Sequence, residues 1–471
     1  MLLVFLCGMA VSTAFAQQEA TNVVFIMTDD QGIWSLGCYG NPEIRTPNLD
    51  RLAAAGARFT RAFATSPVCS PSRATFLTGR IPSQHGIHEW IREENMGPQA
   101  ASLIEKEETF SEILAQNGYT LGISGKWHLG DSLRPQKGFT FWSVMPRGSG
   151  RYNNAPLIRN GKVEEVPGYI TRVITDRALE FVNENWQRPF FLWVNYSAPH
   201  GPWSGHPERL VDLYRNIPFN SIPKEDLHPW AIQNAARHIG NKESLAQYFA
   251  SVTGIDEGVG RIVSMIDRVG ITDRTLIIFV SDQGFMVGHH GLWGKGNASQ
   301  PKNMYDLSFQ IPLIFSHPGK IAPGQVIDQM VSGYDFFPTL LDYLGIRHRG
   351  RNLPGRSYAP FLRGELTPWE NVVYGEYGLA RMVRTEEWKY VARYPNGPNE
   401  LYDVRKDPGE RENLAGQPHM KGTFEGLHEQ LETWFKRFAD PTKDPVRLSR
   451  DPTILYRREK PFVYPQLLEE E

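Results

Sequence analysis

The sequence predicts an α/β fold: a mostly parallel sheet flanked by helices, with a small C-terminal antiparallel sheet plus helix. Three observations predict it. As far as about residue 365, short apolar runs alternate with helical patterns, the order expected when helices cross between parallel strands. Four of those runs end in polar residues, which a purely structural sheet has no need to do repeatedly. After residue 365 the texture changes to short, closely spaced strands with tight turns.

The elements follow in order. Asn22 to Met27 is a short apolar run ending in Thr28-Asp29-Asp30. Tyr119 to Ser124 leads into Gly125-Lys126, Phe190 to Tyr196 into Pro199-His200, and Thr275 to Val280 into Ser281-Asp282; Ile311 to Phe315 is a fifth run. Helical patterns lie between them over Pro47–Ala55, Thr109–Asn117, Thr171–Glu184 and Lys242–Val269. In open α/β sheets ligands gather at the carboxyl ends of strands, so the polar ends mark where a site belongs. Val372–Tyr377, Arg381–Thr385, Trp388–Arg393 and Glu400–Val404 read as the antiparallel strands, followed by a helix over Phe424–Phe438. The tail after Asp440 is rich in proline and charge and has little periodicity. The expected organisation is a signal peptide over 1–16, a catalytic domain over 17–365 and a C-terminal subdomain over 366–471.

At 471 residues the chain is too long for one ordinary core. A formal net charge of −2 provides no global field for nucleic acid or anionic lipid, so an anionic substrate must be met by local cations. Met1 to Ala16 is apolar and ends in Ala14-Phe15-Ala16, a cleavage-site pattern that predicts export, periplasmic or secreted. That run is too short to span a bilayer, so membrane insertion is not expected. Of the three cysteines, Cys7 falls in the signal, leaving Cys38 and Cys69; a bridge between them would consume the most informative residue in the chain.

That residue opens Cys69-Ser70-Pro71-Ser72-Arg73, continued by Ala74-Thr75-Phe76-Leu77-Thr78-Gly79-Arg80. A free cysteine at a helix start is ordinarily a buried thiol. Here the thiol comes with Pro-Ser-Arg and Thr-Gly-Arg at fixed spacing, and the stretch resembles the signature of the type I sulfatases. In that family the cysteine is oxidised by a dedicated maturation enzyme to formylglycine. The chemistry is intelligible: a sulfate ester is an anion that ordinary nucleophiles approach poorly. A hydrated aldehyde has one hydroxyl to attack sulfur and a second to expel sulfate by re-forming the carbonyl. Placement at a helix N-terminus adds backbone donors suited to an oxyanion.

The rest of the chain carries the same resemblance. Asp29 and Asp30 after one strand, with Asp282 and Gln283 after another, are hard oxygen ligands suited to Ca2+, with Mg2+ the lesser alternative. Alone, Asp-Asp at a strand end is as often a turn or cap; the paired segments match the sulfatase metal motifs, in which Asn or His usually stands where this chain has Gln283. Gly125-Lys126-Trp127-His128-Leu129-Gly130 matches closely. The resemblance implies that Lys126 binds sulfate and that His128 helps to deprotonate the hydrated aldehyde. In Ala198-Pro199-His200 it implies that His200 protonates the leaving alcohol. In Gly291-Leu292-Trp293-Gly294-Lys295 the resemblance implies a sulfate-binding lysine, but an insertion before Tyr305-Asp306 leaves both Lys295 and Lys302 eligible; the Gly-Lys context favours Lys295. The implied fold is alkaline-phosphatase-like. Catalytic candidates are thus Cys69, Arg73, Lys126, His128, His200 and Lys295, and metal candidates Asp29, Asp30, Cys69, Asp282 and Gln283.

Substrate-binding candidates are His88, Trp90, Arg92, Trp203 and Lys302, with His85, Arg147, Arg151 and His206 nearby in the same loops. Aromatic and basic residues together suit a sulfated saccharide, although any single aromatic is more often packing. Two other functions remain open from sequence: a phosphoester or phosphonate-ester hydrolase of the same superfamily, and a non-catalytic sulfated-glycan-binding protein.

Overall fold

The computed structural model describes residues 20–448 except 93, 233–234 and 349–351; the expected signal peptide lies outside the described residues. The central sheet has eleven strands, and its middle is Thr275–Ser281, Asn22–Asp29, Phe190–Pro199, Thr120–Lys126 and Phe141–Met145, all parallel. Side chains along the first strand alternate between its faces. Val23, Phe25 and Met27 enter one core with Phe76, Phe110, Phe336 and Leu340. Val24 and Ile26 enter the other with Ile174, Phe181, Val252 and Ile262. Helices Cys69–Thr78, Phe110–Gln116 and Gly333–Tyr343 thus cover one face, and Ile170–Asn185 and Lys242–Arg268 the other. A sheet buried on both faces explains why its strands read as continuous apolar runs.

The sheet is less uniformly parallel than alternation of elements suggests. The fifth apolar run, Gln310–Ser316, runs antiparallel to both Thr275–Ser281 and Ala57–Phe63. A hairpin of Pro156–Arg159 and Lys162–Glu165 adds two antiparallel strands at the other edge. The C-terminal strands Val372–Tyr377, Ala380–Thr385, Trp388–Arg393 and Glu400–Asp403 form an antiparallel meander under helix Lys421–Phe438. Its core is not separate from the main one, because Ile81 and Tyr334 pack into it. Residues 440–448 are tied to the body: Asp440 N–H donates to the Ser83 carbonyl at 3.0 Å, and Asp444 pairs with buried Arg381. Among the described residues no helix is long and apolar enough to cross a membrane.

Candidate active site

Five strand or helix ends converge on one buried cluster. Asp29 is the last residue of its strand, and Asp30 turns with φ of 65°. Successive strand residues face opposite sides; the left-handed turn at Asp30 breaks that alternation so that both carboxylates face the same way. The Asp30 N–H donates to Asp282 Oδ1 at 3.3 Å, tying the first strand end to that of Thr275–Ser281. Carboxylate oxygens of Asp29, Asp30 and Asp282 all lie within 4.8 Å of one another.

Three cations face them. Lys126 ends Thr120–Lys126 and places Nζ 2.5 Å from Asp29 Oδ2. Lys295 Nζ lies 2.6 Å from Asp30 Oδ1 and 3.7 Å from Cys69 Sγ. Cys69 begins helix Cys69–Thr78, and Arg73, four residues on, projects from the same face. Arg73 donates Nε–H to Asp282 Oδ2 at 2.9 Å and Nη1–H to Asn195 Oδ1 and the Lys126 carbonyl, both at 3.2 Å. The structure therefore brings Lys295, and not Lys302, against Cys69.

The electrostatics follow from burial and pairing. Burial alone would raise the Asp29 carboxyl, but Lys126, His200, Lys295 and Arg73 together hold it well below the usual range. Asp282 is pushed up to about 7 by burial and by the neighbouring Asp29 carboxylate. Burial would lower Lys295, but Asp30, Cys69, Asp29 and Asp282 hold it above its ordinary value. Burial raises the Cys69 thiol, against Lys126 and Lys295, so as a plain cysteine it is not a ready thiolate.

Both histidines are placed with a defined tautomer. His128 Nε2 lies 2.8 Å from the Ile91 carbonyl, which can only accept, so Nε2 carries the hydrogen and Nδ1 is left as a buried, unpartnered base. Burial, and then Lys126, keep that ring neutral well below its ordinary pKa. Gly148 lets the glycine-rich loop lie on the ring: a Cβ there would fall 2.1 Å from His128 Cε1. His200 Nδ1 donates to the Gly201 carbonyl at 2.8 Å, leaving Nε2 3.6 Å from Asp30 Oδ2. Its side chain is 26% exposed against 0% for Arg73 and Lys126, so His200 stands at the mouth of the cluster. Burial lowers its pKa, against Asp29 and Asp30. Tyr152 OH donates to the His200 carbonyl at 2.6 Å.

The residues fit a hard divalent cation. Gln283 donates Nε2–H to Asp30 Oδ1 at 2.5 Å and to Asp29 Oδ1 at 3.4 Å, while its buried Oε1 has no partner. Rotating the amide would turn that orphaned oxygen toward the carboxylates, completing an all-oxygen donor set.

The loop candidates divide. Trp90 packs against the cluster that contains Cys69 and Tyr377, with the Arg92 guanidinium 4.2 Å above its ring. Lys302 is 3.6 Å from Glu89 Oε2 and 5.0 Å above the Tyr377 ring. His88 is a correction: it is buried, with Nε2 2.9 Å from the Lys443 carbonyl, so the C-terminal segment takes it rather than a ligand. His85 and His206 are likewise internal, engaged by Thr75 and by Tyr169. Trp203 packs edge-on to Trp293 and His238 and donates Nε1–H to the Pro199 carbonyl. Arg151 pairs with Glu165 on the surface. Sequence reasoning missed Asn195 and Glu89. The signal for Asn195 was a polar residue inside an apolar strand; a carboxylate between His88 and Trp90 gave none.

Comparison with known proteins agrees with this geometry. The sulfatase family model matches residues 21–346, and the model described as N-sulphoglucosamine sulphohydrolase, C-terminal, matches 288–437. An N-acetylglucosamine-6-O-sulfatase of Bacteroides thetaiotaomicron is 27% identical over 92% of this chain and 90% of its own length. The N-acetylgalactosamine-6-sulfatase of Canis lupus familiaris is 31% identical over 78% of this chain and 70% of its own. Among solved structures, BT4656 in complex with its substrate D-glucosamine-2-N,6-O-disulfate superposes with a TM-score of 0.77 at 26% identity, covering 90% of this chain and 99% of that one. With the family model spanning most of its length, the chain belongs to the type I sulfatases of the alkaline-phosphatase-like superfamily and is a sulfuric ester hydrolase.

Proposed function

We propose that this enzyme removes sulfate from a sulfated carbohydrate, using formylglycine at position 69 and a calcium ion held by Asp29, Asp30, Asp282 and Gln283. The observation that carries the proposal is Cys69 at a helix N-terminus with Lys295 Nζ 3.7 Å from its sulfur, beside three clustered carboxylates. Formylglycine, once formed, supplies a hydrated aldehyde as nucleophile, and calcium supplies positive charge at the sulfate oxygens. Without the ion the three carboxylates are balanced by Arg73, Lys126 and Lys295; a divalent cation gives the pocket the net positive charge that an anionic ester requires.

The side chains divide the remaining work. Lys126 and Lys295 place ammonium groups where the sulfuryl oxygens sit, and Arg73 holds Asp282 while facing the same space. His128 Nδ1 is a neutral base that can take a proton from the nucleophile. His200, at the mouth, keeps its Nδ1 hydrogen on the Gly201 carbonyl and, as the imidazolium with a second proton on Nε2 beside Asp30, protonates the departing sugar oxygen. The sugar itself is suggested by the relatives, two of which are named for sulfated amino sugars. The C-terminal subdomain, taken as 366–471, contributes buried Tyr377 to the apolar cluster that holds Cys69.

Peptide mass spectrometry of an active preparation tests the proposal together with sulfate release from a panel of sulfated sugars. The expected result is an aldehyde in place of the thiol at position 69, and sulfate release from at least one sugar. Turnover by a protein carrying only unmodified cysteine would refute it, and release of phosphate but not sulfate would favour the phosphoester reading.

A further inference from the structure

Beside the nucleophile stands a group of side chains that the steps above leave unused. Its centre is Glu89, 4% exposed. Glu89 Oε1 accepts the Trp90 N–H at 3.0 Å and the Tyr377 hydroxyl at 2.6 Å, while Oε2 lies 2.8 Å from the same hydroxyl and 3.6 Å from Lys302 Nζ. One carboxylate thus fixes two aromatic rings from opposite halves of the chain, and each ring carries a cation. Arg92 lies 4.2 Å over Trp90 and Lys302 lies 5.0 Å over Tyr377. The group adjoins the reacting centre: Trp90 and Tyr377 pack in the cluster that holds Cys69, and a Cβ on Gly296, the neighbour of Lys295, would lie 3.0 Å from the Tyr377 ring.

Two features suit this group to binding rather than to support. Arg92 covers the face of Trp90, so the ring is a platform for the guanidinium and not a free stacking surface for a sugar. A guanidinium stacked by its face leaves its N–H edge free to fork an oxyanion. Arg92 Nε is buried without a hydrogen-bond partner, and no carboxylate pairs with Arg92 among the described residues. Two cations against one carboxylate leave the group positive.

The geometry points to a second anion subsite: Arg92 and Lys302 bind a negatively charged substituent, sulfate or carboxylate, on the sugar whose scissile ester lies at residue 69. The substrate is therefore a sugar with at least two negative charges. This rests on the sulfatase reading above and deepens it.

The test is competition against an activated aryl sulfate. Turnover of the aryl sulfate by the wild-type enzyme checks the sulfatase reading first, independently of the subsite. Competitors are then glucosamine 6-sulfate, the same sugar carrying an additional N-sulfate, and the 6-sulfate linked to a uronic acid. A charged hydrogen-bonded contact predicts a Ki about tenfold lower for the doubly charged competitors, a preference that shrinks as salt is added. Gain from both charged competitors marks a site for anions generally, and gain from the N-sulfate alone marks a sulfate site. Arg92→Gln and Lys302→Gln should bring the ratio toward one. Glu89→Gln separates binding from scaffolding, because Oε1 alone can keep both the Trp90 and the Tyr377 hydrogen bonds while the charge facing Lys302 disappears. The ratio should then rise, whereas a purely structural Glu89 predicts a fall. Equal Ki values in the wild type, ratios unmoved in the Arg92 and Lys302 variants, or a fall in Glu89→Gln would each overturn the subsite.

Discussion

Among the described residues, two of the buried charge groups differ in whether their hydrogen bonds are complete. At the strand ends, Asp29, Asp30 and Asp282 face Arg73, Lys126 and Lys295, and buried polar atoms are left over: Arg73 Nη2, Asn195 Nδ2, His128 Nδ1 and Gln283 Oε1. Between the main body and the C-terminal sheet, Lys389 Nζ lies 2.8 Å from Asp306 Oδ1 and also pairs with Glu410. There Arg384 Nε lies 3.0 Å from Asp306 Oδ2, and the Asp306 N–H donates to Glu410 Oε2 at 2.6 Å. None of these four side chains is left with an unpartnered buried atom. Burial of charge does not distinguish the two groups; saturation does. A complete network is a joint, whereas an incomplete one keeps its donors and acceptors for something that arrives and leaves.

If that contrast is right, substitutions in the first group act on turnover and those in the second on stability. The largest effects belong to the first. Lys126→Ala removes charge stabilisation that every substrate needs, so an activated aryl sulfate and a sugar sulfate should both lose on the order of 100-fold or more in rate. His200→Ala removes a proton that matters most to a basic leaving alcohol. The sugar sulfate should lose about 100- to 10,000-fold while the aryl sulfate loses far less. Rates for both substrates on both variants give the comparison, and equal loss in His200→Ala would make His200 another sulfate-binding residue.

The second group should answer to denaturant. Lys389→Met leaves Asp306 and Glu410 buried beside each other with Arg384 their only cation, and breaking a buried pair from one side costs about 3–5 kcal/mol. Urea unfolding measures it; an unchanged midpoint would mean that the network is no joint. The proposed calcium ion would have a smaller effect on stability. An ion bound only by the folded state at 100 times its Kd stabilises by about 2.7 kcal/mol. Exhaustive chelation should therefore lower the unfolding midpoint and abolish turnover, with both restored by calcium. Full activity in a protein shown by elemental analysis to be metal-free would remove calcium from the site.

The site was more legible in the sequence than the sheet around it. Asp29-Asp30, Lys126 and Asp282 each end an apolar run, so strand direction alone places them together at one edge. Spacing could not separate Lys295 from Lys302, because an insertion displaces any count; the Gly-Lys context favours Lys295, and the folded loop puts its ammonium group 3.7 Å from the Cys69 sulfur. Ala57–Phe63 went unread because Arg61 stands where its alternation of buried and half-buried residues calls for an apolar one. Its pairing with Gln310–Ser316, some 250 residues away, is set by the packed sheet and by no local pattern. His88 misled for a related reason: a histidine among loop residues looks available until the Lys443 carbonyl closes over it.

The smallest effect concerns pH. Burial, together with the adjacent Asp306 carboxylate, pushes Glu410 up to about 7 from an ordinary 4.5, against the pull of Lys389. Between those values the folded protein holds a proton that the unfolded chain has released. Stability is therefore greatest below pH 4.5 as far as this group is concerned, and falls as pH rises through 7. Glu410→Gln removes the titration but, with one acceptor oxygen in place of two, keeps only one of the bonds that the carboxylate accepts from Lys389 and the Asp306 N–H. Urea midpoints at pH 5 and pH 8 should differ less in Glu410→Gln than in the wild type. Because the active-site cluster is untouched, the pH dependence of turnover in the same variant should keep its shape. A changed activity profile would show that the saturated joint and the unsaturated site are coupled, and the distinction between them would have to be redrawn.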